Sequence, residues 1–522
     1  MDNSFIACVF KGRWISLFFY FLLLAGSSGV YLFPLYSTQL KKNCTYNQDK
    51  LNVLSIFKDL GGSVGVLSEL IIKLFPEWSV LIVLTLVNVG CYLSIWFSLE
   101  GEEVPKFNFL VMEFLFFFLG WSKSVIKDLC IRHSFSLFVK VNKGLQLVTL
   151  SSFVQIGGAG LIYFITVFTE GSASFIILIL ASVPTCFIFI SLLNFRQRKN
   201  IQQLQKEDEE IWYANFYYVS VFLGMVLLIG SLVVQYVGFK NRGIIGGTVI
   251  LSLFLSLLLN SFRTEIVALK RMREKRSHAA SVQDRKKNEE EVTKVEQKTT
   301  QRILEILKFV ALAFATSVGV ASTITSLDAM GQIAEALALD QTTLKNLIQL
   351  ILLLSLVGRF GTRILYGYMD KKLDISPSLI GVNLGVLLCF THLSIAYPFR
   401  TGKSLFISCI LMGLCRGGQL QMASMTLDEL FQNRSKGFYQ VVKISIPAFT
   451  YVLKSLLVSK IYMKHASLDS VCLGTKCFRD SFVAISSCVF CATLLMWVLV
   501  VFIDSRLLKI KKDRVSERSS TS

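Results

Sequence analysis

The chain has 522 residues, of which 53% are hydrophobic and only 17% are charged. Together with a mean hydropathy of +0.58, this composition excludes an ordinary soluble globular enzyme. Lys and Arg outnumber Asp and Glu by 54 to 35, for a net charge of +19. The basic residues collect between long apolar runs, which indicates a membrane-orientation signal and not a nucleic-acid surface.

Long apolar runs recur along the whole sequence. A helix needs about 20 mostly apolar residues to cross the hydrocarbon core, so the sequence predicts fourteen spans, with twelve as the alternative count. The runs are continuous and do not alternate as barrel strands do, which predicts an all-α polytopic membrane protein. The predicted spans are 14–37, 51–75, 79–98, 107–126, 146–168, 174–195, 214–238, 243–262, 303–325, 344–368, 378–397, 404–424, 437–459 and 481–503.

The distribution of Lys and Arg predicts the orientation. With the N-terminus inside, the inner segments carry more Lys and Arg than the outer ones, even without the 263–302 loop. This excess is expected of cytoplasmic loops, so the ends at 1–13 and 504–522 are both predicted to be cytoplasmic. The basic 263–302 loop has little to build a core, and we expect a partly disordered linker that contacts anionic lipids.

Two features fall in predicted outer loops. Asn43-Cys44-Thr45 is an N-glycosylation sequon, although such triplets are common by chance. Cys472 and Cys477 lie in the last outer loop, where an oxidising compartment permits a disulfide. The alternatives are an unused sequon and two free thiols.

Ionisable residues inside predicted spans are the main functional signal, because a charge in the membrane is costly and tends to mark a substrate or proton path. Intramembrane cations outnumber carboxylates in the second half, which suggests that a bound anion neutralises some of them. Lys454 is expected to snorkel to an interface. Candidates for substrate binding are Arg416, Lys443, Lys58, Gln155 and Gln419. Candidates for gating or proton coupling are Asp59, Glu69, Glu113, Arg359 and Arg363.

An ordered set of motifs runs through nearly the whole chain. The motifs are Lys58-Asp59-Leu60-Gly61-Gly62-Ser63-Val64-Gly65 with Leu67-Ser68-Glu69, then Asp328-Ala329-Met330-Gly331-Gln332-Ile333, Gly358-Arg359-Phe360-Gly361, Glu429-Leu430-Phe431 and the pair Cys472 and Cys477. In order and spacing they resemble the plant nodulin-like transporters, also called nuclear fusion defective 4-like proteins, of the major facilitator superfamily. Arg416 departs from the family, which usually has an uncharged aromatic residue there, and Lys443 is also unusual for the family.

This resemblance implies a two-bundle major-facilitator-like fold with twelve spans plus an additional pair. The N-terminal six-helix bundle would cover 14–195, a linker and the additional pair 196–262, and the C-terminal six-helix bundle 303–503. Such proteins move solutes by rocking two bundles around a site near the bilayer midplane.

The expected function is a secondary transporter of a small polar solute, and the intramembrane cations favour an organic anion or a zwitterion. The alternative is a membrane receptor or scaffold that keeps the transporter fold and acts through its 263–302 loop. An enzyme is less favoured, because four scattered histidines lack ligand spacing and no Walker phosphate loop occurs. We expect no cofactor or metal, a monomer, and the plasma membrane as location, with vacuolar or other endomembranes as the alternative.

Overall fold

The structure, a computed structural model, describes residues 12–100, 107–169, 173–195, 206–235, 237, 239–279, 299–373, 377–398, 403–430, 435–466 and 472–520. Every regular element within these ranges is a helix. Among the predicted segments, residues 1–11 and 280–298 and the final two residues lie outside this description.

The first half is built from helices that follow its apolar runs. The first run forms α1 (Arg13–Gly26), a 3₁₀ segment (Ser27–Leu32) and α2 (Phe33–Asn43). The others are α3 (Gln48–Ser63), α4 (Gly65–Leu74), α5 (Glu77–Glu100), α6 (Phe109–Leu137), α7 (Lys143–Phe168), α8 (Ala173–Phe195), α9 (Lys206–Gln235) and α10 (Phe239–Ala279).

The second half repeats this construction. Its helices are α11 (Thr299–Asp328), α12 (Met330–Ala336), α13 (Gln341–Leu373), α14 (Pro377–Ala396), α15 (Lys403–Leu430) and α16 (Ser435–Tyr451), then a π-helical segment (Val452–Ser459), α17 (Lys460–His465), a 3₁₀ turn (Thr475–Cys477) and α18 (Arg479–Ser520).

Twelve helices among the described residues are long and apolar enough to cross a membrane. The predicted spans 51–75 and 378–397 have no counterpart among these twelve. The first corresponds to α3 and α4, which are interrupted at Val64, and the second to the shorter apolar helix Ile380–Ala396. The all-helical polytopic class is confirmed, whereas the count of fourteen stays a prediction.

Each half contains one helix crossing at which glycines allow the two backbones to approach closely. A Cβ on Gly61 of α3 or Gly120 of α6 would lie 1.9 Å from a backbone oxygen of the facing helix. At the crossing of α13 with α15, the corresponding distances are 2.2 Å for Gly358 and 1.9 Å for Gly417. Only glycine permits such close backbone contact. Gly61 and Gly120 are separated by the same number of residues as Gly358 and Gly417, which supports an internal repeat.

One end of the helices, which we call the terminal face, carries the start of α1. There Arg13 Nη1 lies 2.8 Å from Glu209 Oε1 on α9, and the Trp14 backbone N–H donates to Glu265 Oε2 of α10 at 2.9 Å. All three side chains of Arg13, Glu209 and Glu265 are buried. These bonds fasten α9 and α10 to the first helix of the bundle.

The opposite end, which we call the disulfide face, carries the Cys472–Cys477 disulfide. The two halves meet closely at this face. Lys41 Nζ of α2 lies 3.0 Å from Glu335 Oε2 of α12, and Ser459 Oγ donates to Asp49 Oδ1 of α3 at 2.6 Å. Bonds between the halves therefore close the disulfide face.

Candidate functional site

A cavity of about 250 Å³ lies between the two halves. Ligand pockets for drug-sized molecules usually range from roughly 300 to 1,000 Å³, so this cavity suits a small molecule. Its wall contains the single carboxylate Asp59 and five cationic side chains: Lys58, Lys123, Lys127, Arg359 and Arg416. The site is strongly electropositive.

Four charged residues form what we call the paired cluster, of which Lys58 and Asp59 line the cavity. Lys58 Nζ and Lys454 Nζ lie 2.7 Å and 2.6 Å from Asp328 Oδ2, and Lys454 also forms a salt bridge with Asp59. Ser55 Oγ donates to the same Asp328 oxygen at 2.7 Å. Lys58 and Asp59 belong to the first half, Asp328 and Lys454 to the second. The cluster therefore joins the halves, and the gating role of Asp59 stays a prediction.

The expectation that Lys454 snorkels to an interface is wrong. The residue is only 2% exposed, because the carboxylates of Asp328 and Asp59 compensate its charge and so offset the cost of removing it from water. It lies on the π-helical segment Val452–Ser459, and such irregular turns occur frequently at functional sites.

Two arginines in the cavity lack such compensation. Arg359 and Arg416 are each 3% exposed, and neither forms a salt bridge within the described ranges. Arg359 Nη1 donates to the Val148 carbonyl at 3.3 Å, but its Nε has no partner. Arg416 Nε and Nη1 are both buried without a partner. Buried charges are normally paired, so two guanidinium groups without a carboxylate partner among the described residues make this cavity a candidate anion-binding site.

Tyr31 connects the cations of the two halves. Lys123 Nζ of α6 lies 3.4 Å from the centroid of the Tyr31 ring, and Arg416 Cζ of α15 lies 5.2 Å from it. The negative face of an aromatic ring attracts a cation. Lys127 experiences Coulombic repulsion from both Arg359 and Arg416, so these cations form one mutually repelling group.

The two predicted glutamines lie in different places. Gln155 lines the cavity, and its Nε2 donates to Ser355 Oγ of the other half at 2.7 Å. Gln419 is buried but is not part of the cavity wall described. A Cβ on Gly319 would lie 2.4 Å from Gln419 Oε1, so this side chain packs against α11.

The remaining candidates are not brought to the cavity. Glu113 and Arg363 are partly exposed and are absent from the cavity wall, while the side chains of Glu69 and Lys443 lie outside the described part of the structure. Asn43 Nδ2 donates to the Leu99 carbonyl at 2.9 Å, a bond that a glycan on this nitrogen would have to displace.

Sequence reasoning missed Tyr31, Lys123, Lys127 and Asp328. Lys127 lies beyond the predicted span 107–126 and Lys123 lies near its end, and both were counted with the inner segment 123–143, whereas the helix continues to Leu137. Lys123 and Lys127 are four residues apart and therefore share a helix face, which was the available signal. Asp328 was placed outside the membrane, at the end of a predicted loop, although α11 extends to it.

Two family models match consecutive parts of the sequence. The Nodulin-like model matches residues 13–262, and the model described as NFD4, C-terminal domain matches residues 290–508. These matches confirm the resemblance inferred from the motifs. No curated protein matches the chain.

Solved structures of transporters share the fold. A POT family transporter in complex with a thioalcohol conjugated peptide is 11% identical with a TM-score of 0.56, over 94% of this chain and 96% of that one. The nucleoside transporter NupG is 9% identical, with a TM-score of 0.53 over 93% and 99%. The xylose transporter XylE from E. coli, in a partially occluded inward open conformation, is 10% identical, with a TM-score of 0.51 over 94% and 98%. At these identities the likeness establishes the shared fold alone.

Proposed function

This chain belongs to the nodulin-like family of membrane transporters, and we propose that it moves a small organic anion by secondary transport with alternating access. The observation that carries the proposal is the pair of buried, unpaired guanidinium groups of Arg359 and Arg416 in the cavity between the halves. An anion bound there would supply the compensating charge and hydrogen-bond acceptors that the protein lacks.

The distribution of contacts supports a state that is closed at the disulfide face. Lys41 with Glu335 and the paired cluster join the halves on that side. Cavity-lining residues such as Lys127 and Leu147 continue toward the terminal face. If the terminal face is cytoplasmic, as the Lys and Arg distribution predicts, this state faces inward. Rocking to the outward state must then break the bonds at the disulfide face.

Proteoliposome uptake tests this proposal. Purified protein would be given labelled organic anions, amino acids and sugars, with and without an imposed pH gradient. We expect saturable uptake of anions, and a loss of at least tenfold with Arg416→Gln. Arg132→Gln is the matched control, because Arg132 is exposed on α6 and is expected to leave uptake unchanged.

Two outcomes would contradict the proposal. Uptake of neutral solutes that is unchanged by substitution of Arg359 or Arg416 would contradict anion transport. Absence of uptake from every class, in protein shown to be folded and inserted, would favour the receptor or scaffold alternative. Dependence on the pH gradient would separately indicate proton coupling, for which Asp59 is the candidate that lies in the cavity.

A further inference from the structure

We infer that the transported anion carries two negative charges on one small molecule, as in a short dicarboxylate or a phosphomonoester. This inference rests on the proposed function and narrows it, since it excludes monoanions and zwitterions as the preferred substrates. It depends on the charge balance of the cavity, on the helices that supply each cation, and on the size of the space.

The charge balance requires more than one negative charge. Four cavity cations lie away from the paired cluster: Lys123, Lys127, Arg359 and Arg416. Asp128 interacts with Lys127, whereas Asp59 is already engaged by Lys454. Lysine can lose its proton on burial, but a guanidinium group stays charged. Even if both lysines were neutral, the two arginines would require two negative charges.

The cations also converge from both halves. Lys123 and Lys127 lie on α6 of the first half, whereas Arg359 and Arg416 lie on α13 and α15 of the second. Arg359 and Arg416 repel each other, and Lys127 interacts with both. A single anionic group between the arginines would leave Lys123 of the facing half without an anionic partner among the described residues. A molecule with one anionic group at each end would reach both halves.

The absence of an available carboxylate argues against a zwitterion. Asp59 is the single carboxylate of the cavity wall described, and Lys454 and Lys58 lie within salt-bridge distance of it. A substrate ammonium group would have to displace a lysine from that carboxylate and would also face four cations. Both effects oppose binding.

The space limits the molecule that connects the two charges. The cavity volume of about 250 Å³ excludes large conjugates, and part of its wall is apolar, including Val154, Val320 and Ile324. A short carbon chain between two anionic groups fits this lining. Guanidinium groups bind carboxylate and phosphate through paired hydrogen bonds, so both classes of dianion remain in the proposal.

The test compares small acids that differ in charge and little in size. Succinate is the dianion, monomethyl succinate the monoanion and 4-aminobutyrate the zwitterion, while glycerol 3-phosphate represents the phosphomonoesters. Binding is measured as the ligand-induced rise in melting temperature of the purified protein, and transport as proteoliposome uptake. We expect at least one dianion to bind and enter at least tenfold better than the monoanion and the zwitterion.

The variants give a readout that does not depend on the amount of folded protein. Within Arg359→Gln and within Arg416→Gln, the ratio of dianion to monoanion affinity should fall toward one. Arg359→Lys and Arg416→Lys keep the charge and should retain part of the preference. Arg132→Gln, exposed on α6, should keep the wild-type ratio.

The outcomes separate this inference from the proposed function. Uptake of the monoanion equal to or above that of both dianions would overturn the dianion and leave anion transport standing. Uptake of the zwitterion above that of every anion would overturn both. Failure of every acid to bind or enter, in folded and inserted protein, would overturn both. Of the two dianions, the one that enters faster identifies the chemical class.

Discussion

Two groups of buried cations a short distance apart differ in how their charge is balanced. In the paired cluster, Lys58 and Lys454 share Asp328, and Lys454 reaches Asp59 as well. In the cavity, Arg359 and Arg416 are equally buried but have no acidic partner among the described residues. Burial alone therefore does not distinguish a structural charge from one reserved for a ligand.

The difference indicates that the paired cluster has a structural role and the cavity arginines a binding role. A buried charge that has lost its partner is strongly destabilising, so the paired cluster should hold the halves together and depend on each of its members. A buried charge without an acidic partner already destabilises the folded protein in the absence of ligand. Its removal should therefore leave the stability of the fold unchanged and weaken ligand binding. The three predictions that follow test this contrast.

The largest effect is expected from Asp328→Asn. This change leaves Lys58 and Lys454 buried with only Asp59 between them, and the loss of one partner of a buried ion pair costs about 3–5 kcal/mol. Thermal unfolding of the purified protein in detergent should show a clear fall in melting temperature. The control Asp480→Asn removes a carboxylate that is 50% exposed and should change stability by no more than about 0.5 kcal/mol. Equal melting temperatures for the two variants would refute the structural role.

A smaller effect of opposite sign is expected from Arg416→Gln in the absence of ligand. Removing an uncompensated charge relieves its desolvation cost and its repulsion of Arg359, so stability should stay constant or rise by about 1 kcal/mol. The same unfolding assay measures this change. A fall comparable to that of Asp328→Asn would show that Arg416 holds the fold together.

A third effect, of similar size to that of Arg416→Gln, is expected at Tyr31, which touches the cations of both halves. Tyr31→Leu removes the aromatic face and should lower stability by about 0.5–2 kcal/mol relative to Tyr31→Phe, which keeps it. Unfolding of the two variants side by side gives the difference. Equal losses would assign the role to the phenolic oxygen and not to the ring.

The sequence predicted the residues of the paired cluster only in part. Lys58 and Asp59 stood out because they interrupt an apolar run, as did Arg359 and Arg416. Asp328 and Lys454 were misplaced, at a membrane edge, because each lies near the end of an apolar run where a charge is unremarkable. Their burial depends on two helices of different halves meeting, and no local pattern reports that contact.

The cavity lysines were also not predicted from the sequence, for a different reason. Lys127 follows the predicted span 107–126 and Lys123 lies near its end, so neither lysine was counted as a charge inside the membrane. The helix continues because backbone bonding does not depend on hydropathy, and Tyr31 together with the space between the halves accommodates the charge. Gln419, in contrast, was expected at the substrate but packs against α11.

By itself, the sequence determined the all-helical membrane fold, the family and the excess of buried positive charge, because hydropathy, motif order and residue counts are properties of the chain. Only the tertiary structure decided which cations are neutralised and which are left for a ligand. Charges interact over a few ångströms in a medium of low dielectric constant, and residues hundreds of positions apart, such as Lys58 and Asp328, reach that distance only when the two halves pack together.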